Sequence, residues 1–245
     1  MNTKIAKKVL ESIAIVIPTY NEKENILNLI EQIHSNVGIV SIYVVDDNSP
    51  DGTQNLVRRY IASNSSKVSL IVRESKSGRG GAVLVGFAEA LKNPRVKYFI
   101  EMDADFSHNP VDIPRLLDKR GSKTVVIGSR YVAGSKIMNW PLKRKITSRI
   151  ANAYIRAVLG ISVNDCTNGY RCYSRSAVEL ILESNIQHKG FISLSETLYV
   201  LSRKGFAFAE VPFNFVDRAK GTSNASFGEI IQSIPAILSI KRKYK

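Results

Sequence analysis

The stretch IAIVIPTYNEKENILNLIEQIHSN, residues 13–36, decides the fold. Its first part, 13–18, is an apolar run that predicts a buried β-strand, and the residues after it carry apolar side chains at helical spacing. Asn21 or a neighbour is expected to cap this helix. A continuous apolar strand followed by an amphipathic helix is typical of a parallel sheet that is covered by helices on both faces.

The same alternation continues along the chain. Further strands are predicted at 42–47, 68–74, 96–105, 124–130 and 208–216, and helices at 81–91, 111–117, 141–160, 178–185 and 190–205. Because strands and helices alternate, we predict an α/β protein with a mostly parallel central sheet in a single domain. The second half of the chain is less regular than the first.

Polar segments follow four of the predicted strands: TYNEKEN, DDNSPDGT, DADFSH and GSRYV. The carboxyl ends of parallel strands meet at one edge of the sheet, where ligands bind. Asp103 and Asp105 flank Ala104, and in an extended strand their side chains would point to the same side. Two carboxylates at a strand end suit a hard divalent cation. His108, beside this pair, is expected to lie exposed in the loop.

Several classes of site are excluded by their missing patterns. GRGG (78–81) does not have the glycine spacing of a dinucleotide fingerprint, and no Walker A sequence or GxSxG elbow occurs. The three histidines are scattered along the chain. Cys166 and Cys172 are too few for a disulfide framework and lack partners for a zinc site, which favours a reduced, cytosolic compartment.

The net charge of +14 is concentrated in the second half of the chain. Residues 1–122 carry 16 Lys and Arg against 14 Asp and Glu, whereas residues 123–245 carry 19 against 7. This excess predicts a polyanionic partner, either lipid phosphate, an anionic membrane surface or nucleic acid, with plain solubility as the alternative. A nucleic-acid recognition motif is missing. We expect no signal peptide and no spanning helix.

Motifs that occur in order along the chain resemble those of a known family: IVIPTYNEKENI, VVDDNSPDGT, MDADFSHNP, GSRYV, NWPLKRKITSR and EVPFNFVDRAKGTS. The chain resembles the family-2 glycosyltransferases of the GT-A fold, specifically the polyprenyl-phosphate (dolichyl-phosphate) mannose synthases. The resemblance runs from about Ile13 to Phe227. D-x-D is weakly specific alone, but VDDNSPDGT with NWPLKRK and FVDR is specific to the polyprenyl-phosphate branch. A GT-A, Rossmann-like αβα sandwich is the fold that this resemblance implies.

The resemblance also implies a reaction. Mannose would pass from GDP-mannose to the phosphate of a polyprenyl or dolichyl phosphate, with inversion at the anomeric carbon and with Mg²⁺ or Mn²⁺ as cofactor. A phosphate monoester is largely ionised at pH 7, so the acceptor can attack without a dedicated general base. Asp105 and Arg130 are the expected catalytic residues.

Positions that match the family motifs give the expected binding residues. The metal is expected at Asp103 and Asp105. The donor nucleotide sugar is expected to contact Pro18, Tyr20, Glu22, Val45, Asp46, Asp47, Asp103, Ala104, Asp105, Arg130, Arg218 and Asn224. The acceptor phosphate is expected at Arg130, Arg144 and Ser148, although the basic run 143–145 can also be a solvated helix face or a general attraction to lipid.

Asn224 departs from the family pattern, because relatives usually carry a lysine at this place, six residues after the FVDR arginine. The lost charge would weaken the hold on the donor diphosphate unless Lys220 replaces it. Two alternatives therefore stay open. The chain can be a UDP-glucose-dependent polyprenyl-phosphate glucosyltransferase, or a catalytically impaired homologue that binds nucleotide sugar or membrane.

The domain prediction has three parts: an N-terminal extension at 1–12, a catalytic domain at 13–216, and an acceptor loop with an amphipathic, membrane-facing segment at 217–245. The last part has an apolar stripe, ends in KRKYK and contains Pro235, which predicts an interruption of its helix. A helix packed on the domain is the alternative. We expect a peripheral protein on the cytoplasmic face of a membrane, with an anionic membrane surface as partner, a small membrane protein as an optional one, and no nucleic acid.

Overall fold

The structure is a computed structural model, and it describes residues 7–64, 67–76, 78–216 and 227–244. The strands in these residues are β1 Ile13–Thr19, β2 Ser41–Asp46, β3 Val68–Val72, β4 Tyr98–Glu101, β5 Thr124–Ser129, β6 Lys136–Met138, β7 Arg171–Ser174, β8 Ala207–Pro212 and β9 Asn214–Val216. The helices are α1 Lys7–Leu10, α2 Ile26–Val37, α3 Thr53–Ser63, α4 Arg79–Leu91, α5 Ile113–Asp118, α6 Leu142–Leu159, α7 Arg175–Glu183, α8 Ile192–Arg203 and α9 Phe227–Lys243, with a 3₁₀ turn at Pro110–Asp112.

Seven strands form the central sheet, in the order β3-β2-β1-β4-β7-β5-β8. β1 pairs in parallel with β2 and β4, β2 with β3, and β5 with β8, whereas β7 is antiparallel to both of its neighbours. A separate two-stranded sheet joins β6 and β9 in parallel. The predicted single-domain α/β fold with a mostly parallel sheet is therefore confirmed.

Two hydrophobic cores lie on the two faces of the sheet, because side chains alternate along each strand. On β1, Ala14 and Val16 belong to one core, and Ile13, Ile15 and Ile17 to the other. Helices cover both cores, which gives the three-layer αβα arrangement. On one face, Gly86 of α4 lies so close to the sheet that a Cβ there would sit 2.4 Å from Val16 Cγ1. Only glycine allows this approach of helix and strand.

Two strand predictions need correction, and β6 and β7 were missed. The strand predicted at 96–105 ends at Glu101, so Asp103 and Asp105 lie in a turn and not in extended chain. β7 was not predicted, because it is four residues long and contains a buried arginine. The strand predicted at 208–216 is divided at Phe213, since β8 pairs with β5 and β9 pairs with β6.

The C-terminal helix α9 continues through Pro235, where an interruption was predicted. Its last turns pack on the domain, because Ile237 and Ile240 are fully buried in one core and Tyr244 lies against it. This packing offsets the backbone hydrogen bond that proline cannot make. It also favours the interpretation of the last turns as a packed helix.

Two further sequence predictions can be compared with the structure. Among the helices of the described ranges, none combines the length and the apolar character that a membrane span requires. Cys166 and Cys172 are both free and buried, and burial raises the pKa of each thiol to about 12. Neither thiol is therefore set up for nucleophilic or metal chemistry.

Candidate functional site

The loops that follow β1, β2 and β4 meet at the carboxyl edge of the sheet. The register of β1 and β2 pairs Pro18 with Val45, which places the first two loops side by side. Each of the three loops contains one residue other than glycine with a left-handed backbone, namely Asn21, Asn48 and Phe106. This conformation is costly for a phenylalanine, by roughly 1–2 kcal/mol, and it turns the chain sharply just after Asp105.

Asp46 supports the first two loops from inside the protein. It is fully buried, its Oδ1 accepts the Ser49 N–H at 2.8 Å, and its Oδ2 accepts the Thr19 hydroxyl at 2.8 Å and the Ser49 hydroxyl at 2.6 Å. These contacts use both oxygens of the carboxylate. We therefore interpret Asp46 as a residue that supports the two loops and not as one that contacts the donor nucleotide sugar.

The other predicted donor residues of these loops lie close together. Asp47 is paired with Arg73 at 2.7 Å, and the Lys76 ammonium stands 4.0 Å above the ring of Tyr20, which is 37% exposed. The backbone N–H of Glu22 donates to the Thr53 hydroxyl at 3.1 Å. The structure thus gathers an exposed ring, a carboxylate and two cations on one edge.

The two acids of the third loop have different surroundings. Arg79 Nε donates to Asp103 Oδ1 at 2.6 Å, and the same guanidinium is paired with Glu101. Asp105 Oδ1 instead accepts the Ser107 N–H at 3.0 Å. Arg79 also fills the space beside Gly169, where a Cβ would lie 2.1 Å from Arg79 Nη2. Asp103 is therefore fixed by a buried ion pair and Asp105 by its own turn.

His108 is buried, with 2% exposure, which corrects the expected exposed position. Its Nδ1 accepts the Asp103 N–H at 2.9 Å, so Nε2 carries the proton and donates to Asn168 Oδ1 at 2.9 Å. The ring also stacks on Tyr170, with centroids 4.9 Å apart. Burial lowers the pKa of His108, which keeps it neutral, so its 4.0 Å approach to Asp103 Oδ2 is not an ion pair. The imidazole positions the loop.

Arg130, at the end of β5, is held by a buried carboxylate. Its Nε and Nη2 donate to the two oxygens of Asp165 at 2.8 and 2.7 Å, and Nη2 also donates to the Thr167 hydroxyl at 2.8 Å. Burial acts to raise the pKa of Asp165, but Arg130 holds it below its ordinary value. A fork of this kind fixes the plane of the guanidinium.

The two other predicted acceptor residues contact aromatic side chains. The Arg144 guanidinium stands 4.2 Å above the ring of Trp140, and Ser148 Oγ accepts the Tyr131 hydroxyl at 2.6 Å. Trp140 is buried, and its Nε1–H has no hydrogen-bond partner among the described residues. The structure therefore brings Arg130, Arg144 and Ser148 into one region, with each side chain already engaged.

The third loop offers a divalent cation two carboxylates, so other ligands have to complete its coordination. No group of three or more histidine, cysteine, aspartate or glutamate side chains is arranged for a metal within the described ranges. Asp103 and Asp105 supply hard carboxylate oxygens, the type that Mg²⁺ and Mn²⁺ prefer, and diphosphate and water oxygens complete such shells.

The sequence missed several residues that hold this site. They are Arg73, Arg79, Asp165, Thr167 and Asn168, and each acts on a partner at least 24 positions away in the chain. The polar run DCTNGYR at 165–171, between apolar segments, was a signal that could have found three of them. The predicted donor residues Arg218 and Asn224 lie outside the described residues.

Comparison with known proteins adds a family and two relatives. Residues 14–182 match the family model described as glycosyl transferase family 2. The chain is 38% identical over 221 residues to polyprenol monophosphomannose synthase of Mycolicibacterium smegmatis, covering 90% of this chain and 83% of the relative. It is 37% identical over 219 residues to undecaprenyl-phosphate mannosyltransferase of Micrococcus luteus, covering 89% of each.

Solved structures with the same fold are more distant. Glucosyl-3-phosphoglycerate synthase from Mycobacterium tuberculosis, crystallised with Mn²⁺, uridine diphosphate and glucosyl-3-phosphoglycerate, aligns with a TM-score of 0.65 at 23% identity, covering 96% of this chain and 81% of that one. A crystal structure of a mycobacterial protein aligns with a TM-score of 0.68 at 20% identity, covering 94% and 74%. At such identities the likeness shows the fold alone.

Proposed function

The chain belongs to glycosyl transferase family 2, and from this premise we propose that it transfers mannose from GDP-mannose to the phosphate of a polyprenyl phosphate, with inversion at the anomeric carbon. One observation carries the proposal: two relatives that are named for mannosyl transfer to polyprenol carriers match about nine-tenths of the chain. The geometry supports it, because the edge that gathers Asp103 and Asp105 also holds Arg130.

The reaction needs positioning and charge more than proton transfer. An oxygen of the acceptor phosphate forms a bond to the anomeric carbon while the bond from that carbon to the donor diphosphate breaks, and the nucleoside diphosphate leaves. The acceptor is already ionised near pH 7, so no base has to remove a proton. Arg130, held in one orientation by Asp165, would face the phosphates and reduce their repulsion.

We assign a divalent cation, Mg²⁺ or Mn²⁺, to Asp105 and Asp103. When bound there, it would offset the charge that develops on the departing diphosphate. Asp105 is the carboxylate that we expect to matter more, because Arg79 already engages Asp103. Pro18, Tyr20, Glu22, Val45, Asp47 and Ala104, with Arg218 and Asn224, remain the proposed contacts of the donor.

In this proposal the surface that meets the bilayer includes α6 and is not limited to the predicted membrane-facing segment at 217–245. Leu142, Ile146 and Ile150 follow each other at intervals of four residues and are 72%, 50% and 63% exposed. Residues four apart lie on one side of a helix. Basic side chains interleave with this stripe, and a stripe of this kind suits the boundary of an anionic bilayer.

A direct assay tests the function. Purified protein is incubated with radiolabelled GDP-mannose and polyprenyl phosphate in detergent, with Mg²⁺, with Mn²⁺ or with EDTA. We expect label in the lipid phase with either metal and none with EDTA. Transfer that is unaffected by EDTA would contradict the metal assignment. Absence of transfer from any of a panel of sugar nucleotides, with nucleotide binding intact, would instead identify a non-catalytic homologue.

A further inference from the structure

Glu196 of α8 is a fully buried carboxylate that the proposed reaction does not use. Its Oε1 accepts the backbone N–H of Gln187 at 3.1 Å and the Tyr244 hydroxyl at 2.7 Å. Its Oε2 accepts the backbone N–H and the ring Nδ1–H of His188, at 2.9 and 2.7 Å. Burial acts to raise the pKa of Glu196, but these hydrogen bonds hold it below its ordinary value. The side chain is therefore an anion that joins α8 to two separate parts of the chain.

The first of these parts is the loop 187–189, which lies against the beginning of α4. The Lys189 carbonyl accepts the Gly80 N–H at 2.7 Å and the Gly81 N–H at 3.3 Å. These two N–H groups belong to the first turn of α4, where a helix has no internal partners for its N–H groups. The loop that Glu196 holds therefore fixes the position of the first turn of α4.

The first turn of α4 also carries the arginine that holds Asp103. Arg79 is adjacent to Gly80 in the chain, and its Nε donates to Asp103 Oδ1 at 2.6 Å. The same guanidinium is paired with Glu101. A shift of this turn would therefore move the Asp103 carboxylate or break its ion pair. An unbroken series of hydrogen bonds and peptide bonds thus runs from Glu196 to one of the two acids of the proposed metal site.

The second part that Glu196 holds is the end of α9. Besides the Tyr244 hydroxyl, the Lys243 ammonium lies 3.7 Å from Glu196 Oε1 and donates to the Asn185 carbonyl at 2.7 Å. In the sequence, α9 directly follows the segment 217–226, which contains two of the proposed donor contacts. One buried carboxylate is therefore connected to the loop of the two acids on one side and to the helix after this segment on the other.

We propose that Glu196 is a positioning residue for donor binding, which couples the packing of α9 to the orientation of Asp103. It acts through the loop 187–189 and Arg79. Its effect on the donor rests on the proposed function, in which Asp103 binds the metal. A side chain that only stabilised the fold would lower the free energy of unfolding without a selective effect on the first turn of α4 and on donor affinity.

Native-state amide hydrogen exchange tests the coupling without donor, metal or turnover. Tyr244→Phe removes the hydroxyl that donates to Glu196, and it should accelerate exchange of the Gly80 and Gly81 N–H groups by about threefold to tenfold. Glu196→Gln should accelerate it at least as much, because an amide nitrogen cannot accept the hydrogen bonds that a carboxylate oxygen receives. Amides of α2, whose buried side chains belong to the core on the other face of the sheet, are the internal reference.

Ser195→Ala is the matched control, because Ser195 is a buried residue of α8 beside Glu196 whose hydroxyl donates to the Cys166 carbonyl and not to the loop 187–189. Exchange in the first turn of α4 should stay at the wild-type rate in this variant. The double variant with Glu196→Gln and Tyr244→Phe should exchange no faster than Glu196→Gln alone, because the connection is already broken.

Calorimetric titration with GDP and Mn²⁺ measures the consequence for the donor. Affinity should fall by about threefold to tenfold in Tyr244→Phe and Glu196→Gln and stay unchanged in Ser195→Ala. Wild-type exchange at Gly80 and Gly81 in the first two variants would overturn the inference, as would equal acceleration in α2 or an unaltered GDP affinity. A wild-type protein that binds no GDP, while the exchange results hold, would count against the proposed function and not against the coupling.

Discussion

Asp103 depends on a buried arginine that the sequence did not single out. Arg79 donates to both Asp103 and Glu101. Burial acts to lower the pKa of Arg79, but these two carboxylates raise it well above its ordinary value, so the guanidinium stays charged. One oxygen of Asp103 is therefore held in place before any ligand arrives.

Arg79→Met should destabilise the protein by about 3–5 kcal/mol, because it leaves two carboxylates facing each other in a buried site. Denaturant unfolding measures this change. Lys92→Met is the control, since Lys92 and Glu89 form an exposed pair whose loss costs about 0–1 kcal/mol. Equal effects of the two substitutions would contradict the assigned role of Arg79.

The pair of Arg130 and Asp165 predicts a pH dependence of stability. The pKa of Asp165 is lower in the folded chain than its unfolded value of about 3.9. Its contribution is therefore present above that unfolded value and is lost as the pH falls through the lower folded value. Asp165→Asn should be less stable than the wild type by about 3–5 kcal/mol at pH 7, and this gap should narrow below about pH 4.

Urea unfolding from pH 7 to pH 3 measures the difference in unfolding free energy between the wild type and Asp165→Asn. Glu210→Gln is a useful comparison, because Glu210 accepts hydrogen bonds from Asn164 and from the backbone N–H of Asp165 but does not touch Arg130. A gap between the wild type and Asp165→Asn that stays constant over the whole range would contradict the ion-pair account.

Single residues at strand ends were predictable, whereas their buried partners were not. Asp103, Asp105 and Arg130 stand at or just beyond the ends of apolar runs, although the strand before the two acids stops at Glu101, earlier than its run predicted. Arg79 and Asp165 lie 24 and 35 positions from the residues that they hold. Such long-range pairing leaves no periodic signal in one sequence, so only the fold reveals it.

At the scale of elements, length decided what the sequence could predict. β1, β2 and β5 are six or seven residues long and almost wholly buried, so their apolar runs predicted them. β6 and β9 have only three residues each, and their burial pattern is mixed. Short strands of this kind form because the surrounding elements align them, which propensity alone does not predict.

The C-terminal helix shows tertiary packing that overrides a local signal. Tyr244 donates a hydrogen bond to Glu196 at 2.7 Å, and Glu196 is fully buried and also accepts from His188 Nδ1 at 2.7 Å. This contact joins the end of α9 to α8. Together with Ile237 and Ile240 it fixes the helix beyond Pro235.

Tyr244→Phe should therefore weaken α9 in particular. Losing a hydrogen bond to a buried carboxylate costs about 1.5–3 kcal/mol, and amide hydrogen exchange in α9 should accelerate accordingly. Ser239→Ala, at an exposed position of the same helix, should change the exchange little. Unaltered protection of α9 in Tyr244→Phe would show that the contact does not hold the helix.

At the scale of the whole molecule, charge and exposed apolar surface occur together. The half of the chain with 19 basic against 7 acidic residues contains α6, with its stripe of exposed aliphatic side chains. The first turns of the same helix line a cleft that Arg130 also lines. This arrangement would bring a lipid acceptor from the bilayer directly to the edge of the sheet that carries the acids.

Ile150→Ser should reduce binding to vesicles that contain anionic lipid by about tenfold, since burying an aliphatic side chain contributes about 1.5–3 kcal/mol. Vesicle co-sedimentation measures this partition. Ile39→Ser is the control, because Ile39 is 58% exposed and precedes β2, at the opposite edge of the sheet. Equal losses in the two variants would place the membrane contact elsewhere.

The central claim is mannosyl transfer to a polyprenyl phosphate, and a competition measures it most directly. The protein is incubated with equal amounts of ¹³C-labelled GDP-mannose and unlabelled UDP-glucose, together with one polyprenyl phosphate. Mass spectrometry then measures the mass of the lipid product. The account predicts a lipid product that carries the heavy hexose. A light product, or no hexosylated lipid at all, would contradict it.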